Sequence, residues 1–233
     1  MPTLNEEKGV GKTIESIQQQ KFKENNWELN IAIIDGLSKD NTRKTAQQHG
    51  ADVILEKRKG YGRAYKTGMQ QTDADIIVTG DADTTYPFNE IHTYIQQLLD
   101  EDLDFITTNR FAQLTHGAMS VKHAFGNIVL ALVLRILFFI NIKDSQSGMW
   151  IFKTQALKKL PPLEEFNDGM AFSEEIKIEM FRTKNIKAKE IPSTLYPRQG
   201  EVKLESFKDG YKNLKFLFKK RITPHYKHPT YTK

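Results

Sequence analysis

Two short apolar runs that each end in acidic residues constrain this 233-residue chain most strongly. Ile31–Ile34 leads directly into Asp35. Asp75–Thr79 leads into an acidic tip that contains Asp81 and Asp83. Continuous apolar runs of this length are typical of strands that are buried on both faces of a parallel sheet. Because ligands bind at the carboxyl ends of such strands, the acidic residues are predicted to form a site there.

Helical and strand-like segments alternate through the first half of the chain. Helices are predicted over 6–20, 41–49, 60–71 (after a loop) and 89–100, and further strands over 52–55 and 105–108. In the second half, a strand is predicted over 149–152 and helices over 173–184 and 205–220. This alternation predicts a single α/β domain with a mostly parallel sheet that is flanked by helices.

Charge and cysteine content limit the chemistry. The chain has no cysteine and a net charge of +5. Disulfides and thiolate metal sites are therefore excluded, and any metal needs carboxylate, hydroxyl or imidazole ligands. The lack of cysteine fits a reducing compartment, so we expect a cytoplasmic location. The positive charge admits anionic partners, but no basic and aromatic stacking pattern favours nucleic acid.

Asp81 and Asp83 carry the sharpest chemical signal. Two carboxylates two residues apart, just after a strand, can share one Mg²⁺ or Mn²⁺ ion that bridges a diphosphate. The alternative is a polar turn, because two Asp residues at this spacing often occur by chance. Asp35 can accept hydrogen bonds from a base or a ribose, whereas Ser38 or Asp40 is predicted to cap the next helix.

The stretch 128–142 is nearly all apolar but contains Arg135. The run 128–140 is shorter than the roughly 20 residues that a membrane span needs. It is either a core helix or a helix at a membrane interface, and the interfacial alternative is favoured. The basic residues between 215 and 227 meet no acid in the sequence and are expected to attract anionic lipid. We therefore expect peripheral binding to the cytoplasmic face of a membrane.

Six short motifs follow one another along the chain. They are Pro2-Thr3-Leu4-Asn5-Glu6-Glu7, Asp35-Gly36-x-Ser38-x-Asp40-x-Thr42, Gly60-x-Gly62-x-Ala64, Asp81-Ala82-Asp83, Ser147-Gly148 and Arg198-x-Gly200-x-x-Lys203-Leu204. In this order they resemble the family 2 glycosyltransferases of the GT-A (Rossmann-like) fold, in particular archaeal-type dolichyl-phosphate mannose and glucose synthases. The resemblance implies inverting, metal-dependent transfer of a hexose from a nucleotide-diphosphate sugar to a polyprenyl phosphate.

The resemblance also implies roles for individual residues. Four residues would line the nucleoside pocket: Pro2, Asn5, Glu6 and Asp35. Four more would lie on the donor side: Lys59, Gly62, Arg63 and Ala82. Asp81 would contact the ribose or the metal, and Asp83 would ligate Mg²⁺ or Mn²⁺. Arg198 and Lys203 would neutralise the donor and acceptor phosphates, which suits a guanidinium fork and an ammonium point charge.

Two departures from the family pattern leave the donor open. Thr85 stands where many dolichyl-phosphate mannose synthases carry a glutamine near the metal. Asp35 is followed by Gly36, so only one acid remains where many relatives have a carboxylate pair at the base-binding strand.

The acceptor is open as well. A lipid phosphate is already ionised and needs no strong base, whereas a sugar hydroxyl needs one. Glu174 and Glu175 are the candidates for that base, and the alternative for both is an exposed helix start. Two other functions therefore remain: transfer to a glycan or polysaccharide hydroxyl, and a non-catalytic paralogue that binds nucleotide sugars.

The start of the chain departs from the resembled family, in which an apolar strand precedes the first motif. Here only Met1 precedes Pro2. We therefore expect this strand to be missing, with Asn5 and Glu6 on a loose terminus and the form given poorly stable and weakly active. The catalytic domain is predicted over 1–222, with an apolar helix near 121–142, and a basic tail over 223–233.

Overall fold

The computed structural model describes residues 1–200 and 206–222. Its strands are β1 (Pro2–Thr3), β2 (Ala32–Asp35), β3 (Asp52–Leu55), β4 (Ile76–Val78), β5 (Phe105–Leu114), β6 (Trp150–Lys153) and β7 (Ala188–Leu195). Its α-helices are α1 (Val10–Glu15), α2 (Gln19–Glu24), α3 (Thr42–Gln48), α4 (Tyr61–Gln70), α5 (Ile91–Asp100), α6 (Val121–Phe138), α7 (Thr154–Leu157), α8 (Phe172–Arg182) and α9 (Ser206–Ile222). This order confirms the predicted α/β class.

The strands form two sheets. Strands β1, β2 and β3 pair in that order and are parallel throughout. The second sheet has the order β4-β6-β5-β7, in which β5 and β7 are parallel and β6 runs antiparallel to both of its neighbours. The alternation in the sequence did not predict this antiparallel strand, because one strand within such an arrangement leaves the apolar pattern unchanged.

The expectation of a loose terminus is wrong, because two residues of the first motif pair with β2 in place of the apolar strand expected before it. Pro2 and Thr3 form β1, and Met1 extends the pairing because its carbonyl accepts from the Ile34 amide at 2.9 Å. The Gly36 amide donates to the Thr3 carbonyl at 2.9 Å, so β2 has partners along this edge. The loop that follows β1 is also held by hydrogen bonds, which are described below.

The helix predicted over 6–20 is wrong as one element. Residues 6–9 form a turn in which the Gly9 amide donates to the Glu6 carbonyl, and a helix starts only at Val10. A Cβ at Gly9 would lie 2.8 Å from the Ala82 carbonyl oxygen, so the turn packs directly against the acidic tip. The chain bends again before α2, where buried Ile17 points into the core.

Strand β6 divides the core because its side chains alternate between two faces. Ile151, together with Met149 just before the strand, packs in the cluster that contains α5. Trp150 and Phe152 pack in the cluster that contains α8. A third cluster joins α6, α8 and α9, with Leu134 and Leu217 fully buried.

Strand β7 was not predicted, and β5 is longer than the four residues expected. Pro192 and the charged residues at the start of β7 hide a strand from any apolar pattern. Within the sheet β7 pairs only with β5, at one end of the strand order, where a proline is tolerated because no further ladder bond is needed on its outer side.

Helix α6 is 18 residues long and buries one side only. Leu130, Leu134 and Phe138 face the protein. Most of its other large apolar side chains are exposed, and α9 exposes further ones. Together they form a surface that we call the α6–α9 face: Val121, Phe125, Ile128, Val129, Leu132, Ile136, Phe139, Tyr211, Phe218 and Ile222. The core-helix alternative is therefore wrong.

Among the described residues, α6 is also the one helix whose length and composition would allow it to cross a membrane, and 22% of that stretch is buried. Other kinds of apolar helix meet the same criteria, so length and composition alone do not place α6 in a membrane.

The basic residues of α9 do not all stay unpaired, contrary to expectation. Lys220 lies 2.8 Å from a carboxylate oxygen of Glu175 and 2.8 Å from one of Glu179. Lys219 and Arg221 are exposed, and the Arg221 guanidinium lies 5.9 Å from the centre of the Phe139 ring. The predicted basic tail, 223–233, lies outside the described residues.

Candidate active site

The loops that follow β1 and β2 are tied together by hydrogen bonds between backbone and side chains. The Asn5 amide donates to Ser38 Oγ at 2.8 Å, and the Glu6 amide donates to Thr42 Oγ1 at 2.7 Å. In return, the Lys39 amide donates to Asn5 Oδ1 at 2.7 Å. Asn5 and Glu6 are therefore fixed at the carboxyl ends of the parallel strands, where the sequence predicted a site.

Asp35 stabilises these loops by accepting hydrogen bonds from Ser38 and Thr3. Its carboxylate is fully buried, and Oδ1 accepts from the Ser38 amide at 3.0 Å. Oδ2 accepts from the Ser38 hydroxyl and, at 3.4 Å, from the Thr3 hydroxyl. Both oxygens of Asp35 thus accept hydrogen bonds within the loop, and Oδ1 also lies 3.8 Å from Arg43 Nε. Its contact with a nucleoside stays a prediction. Asp40 does cap α3, since it accepts from the Thr42 amide at 3.0 Å.

The acidic tip places Asp81 and Asp83 side by side. Asp81 is half-buried, and its Oδ1 accepts from the Tyr61 hydroxyl at 2.9 Å. Burial raises the pKa of Asp81 to about 7, and the charge of Asp83 adds to the rise. The Tyr61 hydrogen bond and the charges of Arg110 and Arg198 act in the opposite direction. The pair therefore favours a nearby cation.

Arg198 links this tip to the first loop. One guanidinium nitrogen lies 2.6 Å from Asp83 Oδ2, and another contacts Glu6 Oε1. The surrounding segment is fastened as well, since the Gln199 amide donates to the Asp83 carbonyl at 2.9 Å and the Tyr196 amide to the Thr85 carbonyl at 3.0 Å. We call loops 4–9, 35–41, 80–86 and 196–200 the polar loop cluster.

Backbone strain concentrates in this cluster. Asn5, Leu37 and Thr84 have φ values of +53°, +68° and +70°. The left-handed region is unfavourable for such residues, most of all for the β-branched Thr84. Strained residues of this kind persist where the surrounding structure fixes them, and they are common at functional sites.

The other predicted donor-side residues lie in several places. Pro2 is in β1 and Ala82 is buried between the two carboxylates. Lys59 is exposed. Gly62 and Arg63 lie in the first turn of α4, where the Arg63 guanidinium is paired with Glu164 and Asp168 at 2.7 Å each. Arg63 is therefore committed to internal ion pairs. Lys203 lies outside the described residues.

The alternative of an exposed helix start at Glu174 and Glu175 is wrong, because both side chains are buried. Burial raises the pKa of Glu174 to about 8, and one of its oxygens accepts from Gln146 Nε2 at 2.6 Å. Glu175 is charge-paired with Lys220 and accepts from the Asn167 amide at 2.7 Å. In this conformation neither residue is a freely accessible base.

Sequence reasoning missed Arg110 and Asp144. Arg110 lies in β5, and its Nε and Nη2 atoms lie 2.7 and 2.9 Å from the two oxygens of the buried Asp144. Its charge also lowers the pKa of Asp81, although burial dominates there. An arginine just after the predicted strand 105–108 was the available signal.

The carboxylates of Asp81 and Asp83 fit a divalent cation that is shared with a substrate. No group of three or more His, Asp or Glu side chains within residues 1–200 and 206–222 could hold a metal by itself. Mg²⁺ is usually bound by one or two carboxylates and completed by substrate phosphates. Asp81 and Asp83 supply such a pair, with Thr85 Oγ1 donating to Asp83 Oδ1 at 2.6 Å.

A paired carboxylate tip at the strand ends of an α/β fold suits metal-dependent transfer from a nucleotide sugar. The fold agrees: glucosyl-3-phosphoglycerate synthase from Mycobacterium tuberculosis, solved with Mn²⁺, UDP-glucose and phosphoglyceric acid, superposes with a TM-score of 0.73. That match covers 94% of this chain and 77% of the synthase at 18% identity, so it shows the GT-A fold alone. Residues 1–161 match the family model described as Glycosyl transferase family 2, and the chain belongs to that family of enzymes.

Two curated relatives come from Haloferax volcanii. The "Low-salt glycan biosynthesis hexosyltransferase Agl6" is 33% identical over 219 residues, which are 93% of this chain and 52% of the relative. The "Dolichyl-phosphate hexose transferase" is 28% identical over 213 residues, which are 90% of this chain and 87% of the relative. The chain thus spans about half the length of Agl6.

Proposed function

We propose that this protein transfers a hexose from a nucleoside-diphosphate sugar to a polyprenyl phosphate such as dolichyl phosphate, with inversion, at the cytoplasmic face of a membrane. The names of the relatives support this reaction class, since one is a hexosyltransferase and another acts on dolichyl phosphate. The polar loop cluster is the proposed donor site, and the α6–α9 face is the proposed membrane contact.

One observation carries the proposal: the short loop 144–148 contacts the buried side of α9 and the surroundings of Asp81. Gln146 Oε1 accepts from Asn213 Nδ2 of α9 at 2.9 Å. At the other end, the Gly148 amide donates to the Tyr86 hydroxyl at 2.6 Å, and a Cβ at Gly148 would lie 2.5 Å from the Tyr61 hydroxyl. Tyr61 binds Asp81. This loop thus ties α9, whose outer side belongs to the α6–α9 face, to the surroundings of the carboxylate pair.

The charges suit two anionic substrates. Asp81 and Asp83 would hold Mg²⁺ or Mn²⁺, which would neutralise charge on the departing nucleoside diphosphate. Arg198 is already beside Asp83 and would turn its guanidinium fork toward phosphate when the cation takes its place. Arg110 adds a second positive charge near Asp81.

The proposed step is one displacement. An oxygen of the lipid phosphate forms a bond to the anomeric carbon while the bond from that carbon to the diphosphate breaks. The nucleoside diphosphate leaves with the electron pair, and no proton is transferred. The protein contributes position and electrostatic stabilisation, which account for most of the catalysis in such reactions.

The state of the two buried acids favours a phosphate acceptor over a hydroxyl. A sugar hydroxyl must lose a proton, which requires an accessible base. Glu174, with a pKa of about 8, is mostly protonated at neutral pH, and Glu175 is held by Lys220. A lipid phosphate needs neither residue.

The test is a two-by-two transfer assay. The protein is incubated with a panel of labelled nucleotide sugars and Mn²⁺, together with either polyprenyl phosphate in vesicles or soluble glycan hydroxyl acceptors. We expect label in the extracted lipid and its loss on chelation of Mn²⁺. Label only on the glycan would support the hydroxyl alternative, and no transfer with any donor would support a non-catalytic paralogue.

A further inference from the structure

Tyr61 supplies the one hydrogen bond that the Asp81 carboxylate accepts from the described residues. Tyr61 is the first residue of α4, and its hydroxyl lies 2.9 Å from Asp81 Oδ1. Asp81 is therefore fixed by a side chain that comes from a different element. The sequence motif around Gly60 and Gly62 gave no role to this tyrosine.

Contacts with Asn167 and Asp168 fix the start of α4 and, with it, the position of Tyr61. Gly60 has φ +139°, and a Cβ there would lie 2.1 Å from the Asp168 carbonyl oxygen. A Cβ at Gly62 would lie 2.4 Å from the Asn167 carbonyl oxygen. The Arg63 amide donates to the Asp168 carbonyl at 3.0 Å, and the fully buried Lys66 lies 2.6 Å from the Asp168 carboxylate. Only glycine permits this close docking of helix and loop.

The Tyr61 hydroxyl is also fixed from the side. It lies 3.2 Å from the Tyr65 hydroxyl, and the two rings meet edge to face with centres 4.9 Å apart. Tyr65 in turn donates to the Gly148 carbonyl at 3.3 Å. These contacts leave the Tyr61 hydroxyl little freedom except to donate to Asp81.

We propose that Tyr61 is a positioning residue for the divalent cation that Asp81 and Asp83 share, an inference that rests on the proposed function. Its hydroxyl donates to Oδ1 and would hold the plane of the carboxylate, which leaves Oδ2 for the cation. Groups that orient a metal ligand in this way typically contribute 10–100-fold in metal affinity or activity. Tyr61 acts through Asp81 and needs no contact with the sugar.

The test is Mn²⁺ binding to the full chain, measured from the free Mn²⁺ signal in electron paramagnetic resonance, with UDP or GDP present. We expect Tyr61→Phe to weaken Mn²⁺ binding at least tenfold. Tyr94→Phe is the matched control, because the Tyr94 hydroxyl also donates to a carboxylate from a helix, at 2.7 Å from Glu90, and lies outside the polar loop cluster. It should bind Mn²⁺ like the wild type.

A double-mutant cycle with Asp81→Asn separates positioning from a general loss of structure. If Tyr61 acts through Asp81, Tyr61→Phe adds no further loss in the Asp81→Asn background. Equal Mn²⁺ affinity in the wild type and Tyr61→Phe, or additive losses in the cycle, overturns the inference and leaves the proposed function intact. A wild type that binds no Mn²⁺ with either nucleotide overturns both. Thermal melting of each variant shows whether it is folded.

Discussion

The polar loop cluster and the α6–α9 face differ in whether their side chains have partners within the protein. In the cluster, polar groups are bonded to one another, and three residues are held in strained backbone conformations. On the α6–α9 face, large apolar side chains such as Phe125 and Phe139 are exposed at 69% and 83%. Soluble proteins rarely expose so many adjacent apolar residues unless the surface binds something.

The two regions therefore suit different partners. A preorganised set of charges suits a small, highly charged donor that must be placed accurately. A broad apolar surface with Arg221 and Lys219 at its rim suits a lipid interface, which imposes no single geometry. Substitutions should therefore separate the two regions.

Asp83→Asn should reduce transfer at least 100-fold while the protein remains folded. The change removes a ligand charge at the strand end, and electrostatic groups of this kind are commonly worth 10²–10³ in rate. Transfer and thermal melting check it, with Asp73→Asn as a control because Asp73 is exposed and away from the tip. Unchanged transfer in Asp83→Asn would remove the carboxylate pair from the mechanism.

Arg198→Lys should lose transfer by about 10–100-fold, since lysine keeps the charge but not the two-pronged geometry. Arg198→Gln should have opposite effects on two readouts. It should lose transfer, yet bind Mn²⁺ more tightly, because the guanidinium no longer competes for Asp83. Weaker Mn²⁺ binding in Arg198→Gln would mean that Arg198 supports the metal site instead of exchanging with it.

Ile136→Glu should reduce binding to anionic vesicles roughly tenfold and leave Mn²⁺ and nucleotide binding unchanged. Ile136 is 61% exposed, so the fold tolerates the charge, but burying glutamate in an interface costs free energy. Leu99→Glu, on α5 and 41% exposed, is the matched control for vesicle sedimentation. Wild-type binding should also weaken in high salt. Equal sedimentation of both variants would exclude the α6–α9 face as the contact.

Glu174→Gln should raise the melting temperature by a few degrees near pH 7. The pKa of Glu174 rises from 4.5 to about 8 on burial, so between these values the folded protein binds a proton that the unfolded chain has lost. Stability from this group is therefore lost as pH rises from about 5 to 7. Melting curves across that range should be flatter in Glu174→Gln, and parallel curves would contradict the buried, protonated state.

The sequence predicted the parts of the fold that follow from apolar pattern. Strand Asp52–Leu55 has the predicted bounds, and the acidic tip lies at the end of a strand as expected. The apolar pattern did not predict strand β7, because it contains Pro192 and charged residues. It lies at the edge of its sheet, where burial does not select apolar side chains. Pattern alone also gave no pairing partner, so the strand β6 was predicted but its antiparallel direction was not.

For the site, the sequence indicated which loops matter better than what each side chain does. Asp35 was predicted to contact the nucleoside, which stays a prediction. The sequence did not show that Ser38 also donates to it, since a buried carboxylate must find donors inside the fold. Arg110 and Tyr61 were missed because their importance comes from contacts with residues 34 and 20 positions away. Such contacts depend on tertiary structure, which local spacing does not report.

The most direct test of separate roles for the polar loop cluster and the α6–α9 face compares one reaction on two acceptors. Transfer is measured for the wild type and Ile136→Glu with long-chain polyprenyl phosphate in vesicles and with a short, water-soluble prenyl phosphate. The account predicts that Ile136→Glu loses transfer to the vesicle-bound acceptor, with the loss in KM, and matches the wild type on the soluble one. Equal loss on both acceptors, or no loss on either, would contradict separate roles for the polar loop cluster and the α6–α9 face.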